Sequence, residues 1–187
     1  MMNENEDLWV FGYGSLMWRP GFDFEEQQAA LVRGYHRSLC IFSHVHRGTP
    51  EKPGLVLGLD RGGACKGVAF RVASGRAADT IAYLREREQV TGVYREVWLK
   101  ALLGDGRAVP CVVYAVEPAH PQYAGRLPAP ELLRLVVQGQ GVSGANVDYV
   151  RATHEHLSST GIVDPALAWI VSHLPAPAFR RFGDSAE

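Results

Sequence analysis

The sequence predicts an α+β fold: a small, curled sheet, largely antiparallel or mixed, closed toward a barrel and surrounded by helices. Three observations lead there. Strand-length apolar runs succeed one another with turn residues between them: 55–59 and 65–72 around Asp60-Arg61-Gly62-Gly63, then 94–103 and 109–116 around Gly104-Asp105-Gly106-Arg107. Crossover helices among these strands are few. No G-x-G-x-x-G follows a strand with a helix behind it, and no G-K-[ST] loop occurs, which argues against a Rossmann unit.

Taken in order, the chain opens on M-M-N-E-N-E-D, so residues 3–7 read as a frayed acidic end and not as a basic leader. Residues 8–11 form the first strand. Residues 22–32 read as a short, weakly periodic helix, with Glu25, Glu26 and two glutamines ahead of Ala29, Ala30 and Leu31. A strand follows over 36–42. Residues 43–54, S-H-V-H-R-G-T-P-E-K-P-G, are a polar loop of the kind that lines sites on a rigid scaffold. Residues 77–88 read as a helix with Ala77, Ile81 and Leu84 on one face. The strand over 94–103 turns Val97, Leu99 and Ala101 to one side and Trp98 to the other, and C-V-V-Y-A-V is apolar enough to lie centrally. The proline-rich stretch 117–130 is an irregular connector pinned against the body. A helix over 131–138 starts just behind Pro130. After a loop over 139–144 come helices over 146–157 and from Asp164-Pro165 through Leu174, which cover the open side of the sheet. One domain over 1–187, with its core at about 8–174, accommodates all of these elements.

Composition excludes several functions. The net charge is −1, so no basic field points to nucleic acid. No segment is long and apolar enough to span a bilayer. Cys40, Cys65 and Cys111 are odd in number and form no C-x-x-C pair, which suits reduced, buried thiols in a cytoplasmic protein. His44 and His46 have ligand spacing on a strand, yet no third ligand joins them and no H-E-x-x-H occurs, so no metal is expected. His154 and His156 read as surface or packing histidines. Ser15 lacks a G-x-S-x-G elbow and an assignable His/Asp pair, which disfavours a serine hydrolase.

Two stretches carry chemistry. Val10 to Trp18, V-F-G-Y-G-S-L-M-W, runs from a strand into a glycine-bracketed turn. Such a turn exposes successive backbone N–H groups that bind an anion, with the Ser15 hydroxyl as a further donor; a turn that only connects is the competing reading. Glu88 falls on the inward arc of the 77–88 helix, near the direction of Ile81, whereas Glu86 points to solvent. A carboxylate there is desolvated and sits at the negative end of the helix dipole, and both raise its pKa toward that of a proton shuttle. A helix ending earlier would leave it on the surface. In the polar loop, Arg47 is the side chain suited to a ligand carboxylate, against the alternative of a solvated charge.

Six segments in order then resemble one family over nearly the whole chain: Y-G-S-L at 13–16, G-Y-H-R-S-L-C at 34–40, S-H-V-H-R-G-T at 43–49, P-G-L-V at 53–56, Y-L-R-E-R-E-Q-V-T-G-V-Y at 83–94, and H-P-Q-Y with G-x-S-G-x-N-x-x-Y-V near the end. They are similar to the ChaC family of glutathione-specific gamma-glutamylcyclotransferases. The resemblance implies the gamma-glutamylcyclotransferase-like fold, a small barrel-like mixed sheet with helices around it. It implies release of 5-oxoproline and cysteinylglycine from glutathione without a cofactor. It implies that Tyr13, Gly14, Ser15 and Leu16 bind the gamma-glutamyl end. The catalytic glutamate of an R-E pair shortly before Gly-x-Tyr is Glu88, and Tyr149 is a pocket residue by its match to the late tyrosine. The chain has E-R-E where relatives often have W-R-R-E or F-R-E, a small departure. Two other functions remain open at this point: a cyclotransferase for other gamma-glutamyl amides, and a non-catalytic module holding a carboxylate metabolite. The expected partner is a small molecule, with no nucleic acid and no membrane; nothing in the sequence sets the oligomeric state.

Overall fold

In a computed structural model, which describes residues 6–89 and 91–176, five strands close into a barrel in the order β1-β3-β2-β4-β5. They are β1 Leu8–Gly12, β2 Glu26–Ser43, β3 Gly54–Val72, β4 Tyr94–Leu103 and β5 Ala108–Val116. Neighbours run antiparallel except β1 and β5, which meet in parallel at Val10 and Val112 and make the sheet mixed. Both faces of β1 are buried. Alternation sends Trp9 and Phe11 into the main core with Leu55, Leu59, Ala69 and Val113, and sends Leu8 and Val10 into an outer layer. That layer is closed by α1, Ser74–Glu88, through Ala77, Ile81 and Leu84. Each fully buried Leu or Ile there contributes about 1.5–3 kcal/mol.

Three more helices cover the barrel: α2 Ala129–Gln138, α3 Asn146–Ser159 and α4 Pro165–His173. Leu135, Val136, Val150, Leu157, Leu167 and Ile170 join the same core as the barrel interior. Asp164 caps α4 by accepting from the Leu167 amide at 3.1 Å. All three cysteines are free and buried, and burial pushes the Cys40 and Cys111 thiols up to about 12, which leaves them unreactive.

The structure corrects four expectations. Residues 22–32 are not a helix; from Glu26 onward they belong to β2. Burial along Gln27 to Val32 alternates with a period of two, and the segment pairs with β3 from Glu26↔Arg71 to Val32↔Cys65. Glu, Gln and Ala favour helix only weakly, and the ladder offered by a long partner strand outweighs that preference. Nor is Asp60-Arg61-Gly62-Gly63 a hairpin. β3 runs through it, and the register steps from Arg33↔Ala64 to Tyr35↔Arg61 across a bulge. Gly34, Gly62 and Gly63 take positive φ there (84°, 99° and 69°), so the bulge bends the ribbon around the barrel. The hairpin connection is instead the loop 44–53 between β2 and β3. Asp7 is tied down, accepting from Arg71 at 2.6 Å and from the Ser74 amide at 3.0 Å; residues 3–5 of the expected frayed end lie outside the described residues. The 139–144 loop contains two short strands, β6 Gln140–Gly141 and β7 Gly144–Ala145.

Candidate active site

β1 delivers the chain into a single 3₁₀ turn, Ser15–Met17. The Met17 amide donates to the Gly14 carbonyl at 2.9 Å, and the turn folds back onto Gly12, where a Cβ would come within 3.1 Å of the Leu16 Cβ. In so short a turn the leading amides have no acceptor of their own. At the other side α1 ends on Glu88, whose side chain is 18% exposed. These two termini meet at a cavity of about 60 Å³ lined by Tyr13, Gly14, Ser15, Leu16, Leu57, Glu88, Tyr94, Tyr114 and Tyr149.

The walls are fixed by hydrogen bonds from distant parts of the chain. Tyr13 donates its hydroxyl to the Tyr114 carbonyl at 3.0 Å, and its own carbonyl accepts from Arg37 Nε at 2.6 Å. Tyr94 donates to the Leu57 carbonyl at 2.7 Å, while the Tyr149 hydroxyl accepts from the Leu57 amide at 3.1 Å. Tyr149 is aimed there because Asn146, fully buried three residues earlier, pairs with both backbone groups of Leu55 at 2.7 and 2.8 Å. Burial raises the hydroxyl pKa of Tyr13, Tyr94 and Tyr149, and the Glu88 charge raises each further, so they remain neutral. Burial also pushes the Glu88 carboxyl above the ordinary carboxylate value, with the Arg87 guanidinium pulling the other way. One desolvated carboxylate among neutral hydroxyls and open amides can accept a proton and hold an anion beside it.

The cavity therefore brings together Tyr13, Gly14, Ser15, Leu16, Glu88 and Tyr149. Arg47 is not in its lining. Its guanidinium donates to the Ser143 and Ala145 carbonyls at 2.6 and 3.3 Å and lies 5.5 Å from the Tyr149 ring centroid, so it buttresses the wall from behind. His44 stacks on Phe42 and His46 pairs with the Ser143 hydroxyl at 2.9 Å, so the two point to different partners. Among the described residues no group of three His, Cys, Asp or Glu side chains is placed to hold a metal. His156 stacks on Trp18 with ring centroids 4.3 Å apart. Sequence reasoning missed Leu57, Tyr94 and Tyr114 as lining residues. A tyrosine interrupting the apolar run C-V-V-Y-A-V was the available signal. A wider hollow of about 500 Å³, bordered by β2, β3, β4 and the end of α3, has no carboxylate, histidine or cysteine in its lining.

Comparison with known proteins bears on this arrangement. The family model described as ChaC-like protein matches residues 8–175. The glutathione-specific gamma-glutamylcyclotransferase of Escherichia coli is 35% identical over 160 residues, covering 86% of this chain and 69% of that protein. Human glutathione-specific gamma-glutamylcyclotransferase 1 is 34% identical over 147 residues, covering 76% of this chain and 66% of its own length. The crystal structure of a gamma-glutamyl cyclotransferase specific to glutathione from yeast superposes with a TM-score of 0.77 at 21% identity, over 90% of this chain and 95% of that one, and so shares the fold. With a matched family model spanning nearly the whole barrel and its helices, the chain belongs to the ChaC-like proteins.

Proposed function

We propose that this protein is a gamma-glutamylcyclotransferase acting on glutathione, and that Glu88 is its general acid/base. The observation that carries the reading is the meeting of one desolvated carboxylate with the Tyr13–Leu16 turn in a cavity of about 60 Å³. The names of the E. coli and human relatives supply the substrate class. In this reading the leading amides of the turn and the Ser15 hydroxyl hold the substrate's α-carboxylate. The α-amine then lies folded toward its own γ-carbonyl, which gives an intramolecular advantage. Glu88 takes a proton from the α-ammonium. The freed nitrogen bonds to the γ-carbon, the bond from that carbon to the cysteinyl nitrogen breaks, and the products are 5-oxoproline and cysteinylglycine. The α-nitrogen loses two protons overall and the leaving nitrogen gains two, so Glu88 ends ionised as it began. The chemistry requires no cofactor. Three free, buried thiols are compatible with a reducing, cytoplasmic setting.

The residues that line the cavity are those of the turn, Glu88 and the tyrosines around it, so preference for the departing amine is assigned to groups outside it. The direct test is incubation with glutathione, gamma-glutamylalanine and gamma-glutamyl-lysine, reading 5-oxoproline by mass spectrometry. Release from glutathione is expected. Release from the other two only would reassign the substrate to other gamma-glutamyl amides, and retained binding without any product would leave a binding module.

Ser15→Ala tests the anion site. One lost hydrogen bond to a charged group is worth about 1.5–3 kcal/mol, and the amides remain. KM is expected to rise by roughly 10–100-fold with kcat largely kept. A loss confined to kcat would place the developing oxyanion there, and unchanged constants would remove Ser15 from the site.

A further inference from the structure

The residue that joins the two halves of the cavity is not in its lining. Arg87 lies one position before Glu88 at the end of α1, and each of its three nitrogens reaches a different part of the site. Nε is paired with Glu88 Oε1 at 3.1 Å. Nη2 donates to Ser15 Oγ at 3.2 Å. Nη1 donates to the Arg19 and Pro20 carbonyls at 2.7 and 3.1 Å and to the Tyr83 hydroxyl at 3.2 Å. The chain after the 3₁₀ turn is thereby laid on α1. Gly21, at φ 76°, permits that approach, because a Cβ there would collide with the Tyr83 hydroxyl. On the opposite side, Arg85 anchors the same helix end to β4 through Glu96 at 2.7 and 3.0 Å.

We propose that Arg87 is the positioning residue of this site: one guanidinium that sets the Glu88 carboxylate and the Ser15 hydroxyl in a common frame. The proposal rests on the cyclotransferase reading above. Three consequences follow from the geometry. With Oε1 engaged by Arg87, no group among the described residues donates to Oε2, which is left for the substrate nitrogen. With Ser15 Oγ accepting from Nη2, the hydroxyl proton is directed away from Arg87 and is free for the substrate carboxylate. And the base is moored to the turn that fixes the substrate, so the distance between them is held by one planar fork. A lysine ammonium cannot span those three directions at once.

The groups facing Glu88 define the electrostatic expectation. They are Tyr13 from the turn after β1, Tyr94 from β4, Tyr114 from β5 and Tyr149 from α3, all neutral near pH 7, with Arg87 the cation acting on it among the described residues. Removing Arg87 leaves burial unopposed and raises the pH at which Glu88 gives up its proton.

The test uses Arg87→Met and Arg87→Lys in the full chain. Arg87→Met is expected to lower kcat/KM by roughly 10–100-fold, as a misplaced reacting group does. Its acidic limb should move to higher pH, and 5-oxoproline should bind more weakly by calorimetry. Arg87→Lys should return the acidic limb toward that of wild type through its charge, without restoring the rate. The titration of the Glu88 carboxyl, followed by carbon NMR with Glu88→Gln as the assignment control, reads the same shift without turnover. It therefore separates failure of this proposal from failure of the cyclotransferase reading. An Arg87→Met protein that folds and keeps both the wild-type acidic limb and the wild-type Glu88 titration would overturn the proposal. If Arg87→Met does not fold, a folded Arg87→Lys with the wild-type rate would overturn it equally.

Discussion

Glu88→Gln is expected to lower kcat by about 10²–10⁴-fold while changing 5-oxoproline affinity far less. Glutamine keeps the size and shape of the side chain but cannot accept a proton near neutral pH. Glu86→Gln is the control: it lies on the same helix, two residues earlier and fully on the solvent side, so the rate should change little. Wild-type kcat/KM should fall on the acidic side as Glu88 is protonated. Because burial holds its pKa above the ordinary carboxylate value, that limb should lie at higher pH than for an exposed glutamate, and Glu88→Gln should lack it. The same shift bears on stability. The folded state binds this proton more tightly than the unfolded chain, so wild-type stability declines as pH rises from the unfolded pKa through the raised folded one. Above that window Glu88→Gln should melt no lower than wild type. Near wild-type turnover in Glu88→Gln would sink the mechanism, and a large loss in Glu86→Gln with an intact fold would mean that the wrong carboxylate has been chosen.

Asn146→Ala is expected to produce the largest loss of stability short of the core. The Asn146 side chain substitutes for a neighbouring strand: it accepts from the Leu55 amide and donates to the Leu55 carbonyl, at 2.7 and 2.8 Å, in a fully buried position. Truncation leaves two buried backbone groups without partners, each worth about 1–3 kcal/mol. A loss of roughly 2–6 kcal/mol follows, read as a lower midpoint in a urea titration at unchanged slope. Activity should fall as well, because Asn146 begins the helix that brings Tyr149 to Leu57. Asn146→Asp keeps the acceptor, loses the donor and sets a carboxylate against a carbonyl, so it should be at least as harmful. A wild-type midpoint for Asn146→Ala would show that the two groups find other partners.

The parts of this site legible from sequence are those fixed by short-range geometry. Helical phase puts Glu88 on the inward arc and Glu86 outward, because Ala77, Ile81 and Leu84 define the buried face, but periodicity leaves open whether the helix reaches Glu88; α1 does reach it. The β4–β5 hairpin was equally legible, since its turn residues and both its strands are neighbours in the chain. The failures share a cause. The residues at 22–32 fit either a helix or a strand, and Gly62-Gly63 fits either a turn or a bulge; the choice is made by β2 and β3 pairing along their whole length. The carbonyls that Arg47 engages, from β7 and the residues before it, are equally hidden from local sequence. Tyr114 at least interrupts an apolar run, whereas Tyr94 opens a mixed polar and apolar strand, where nothing local separates a tyrosine bound for a cavity from one at the surface.

The cavity's dependence on distant partners also governs when it comes into being. The Tyr13–Tyr114 bond spans 101 positions of chain, the Leu57–Tyr149 bond 92 and the Arg87–Ser15 bond 72. Closing loops of that size is entropically unfavourable until the barrel supplies the compensating contacts, and topologies rich in such closures fold slowly. The β2–β3 ribbon, paired across a ten-residue loop, has no such delay, yet of the lining residues it holds only Leu57. A chain that has formed the ribbon alone therefore has no place for ligand. Competence to bind should emerge only with the slowest phase of refolding, so that 5-oxoproline binding reports the arrival of the last native closures.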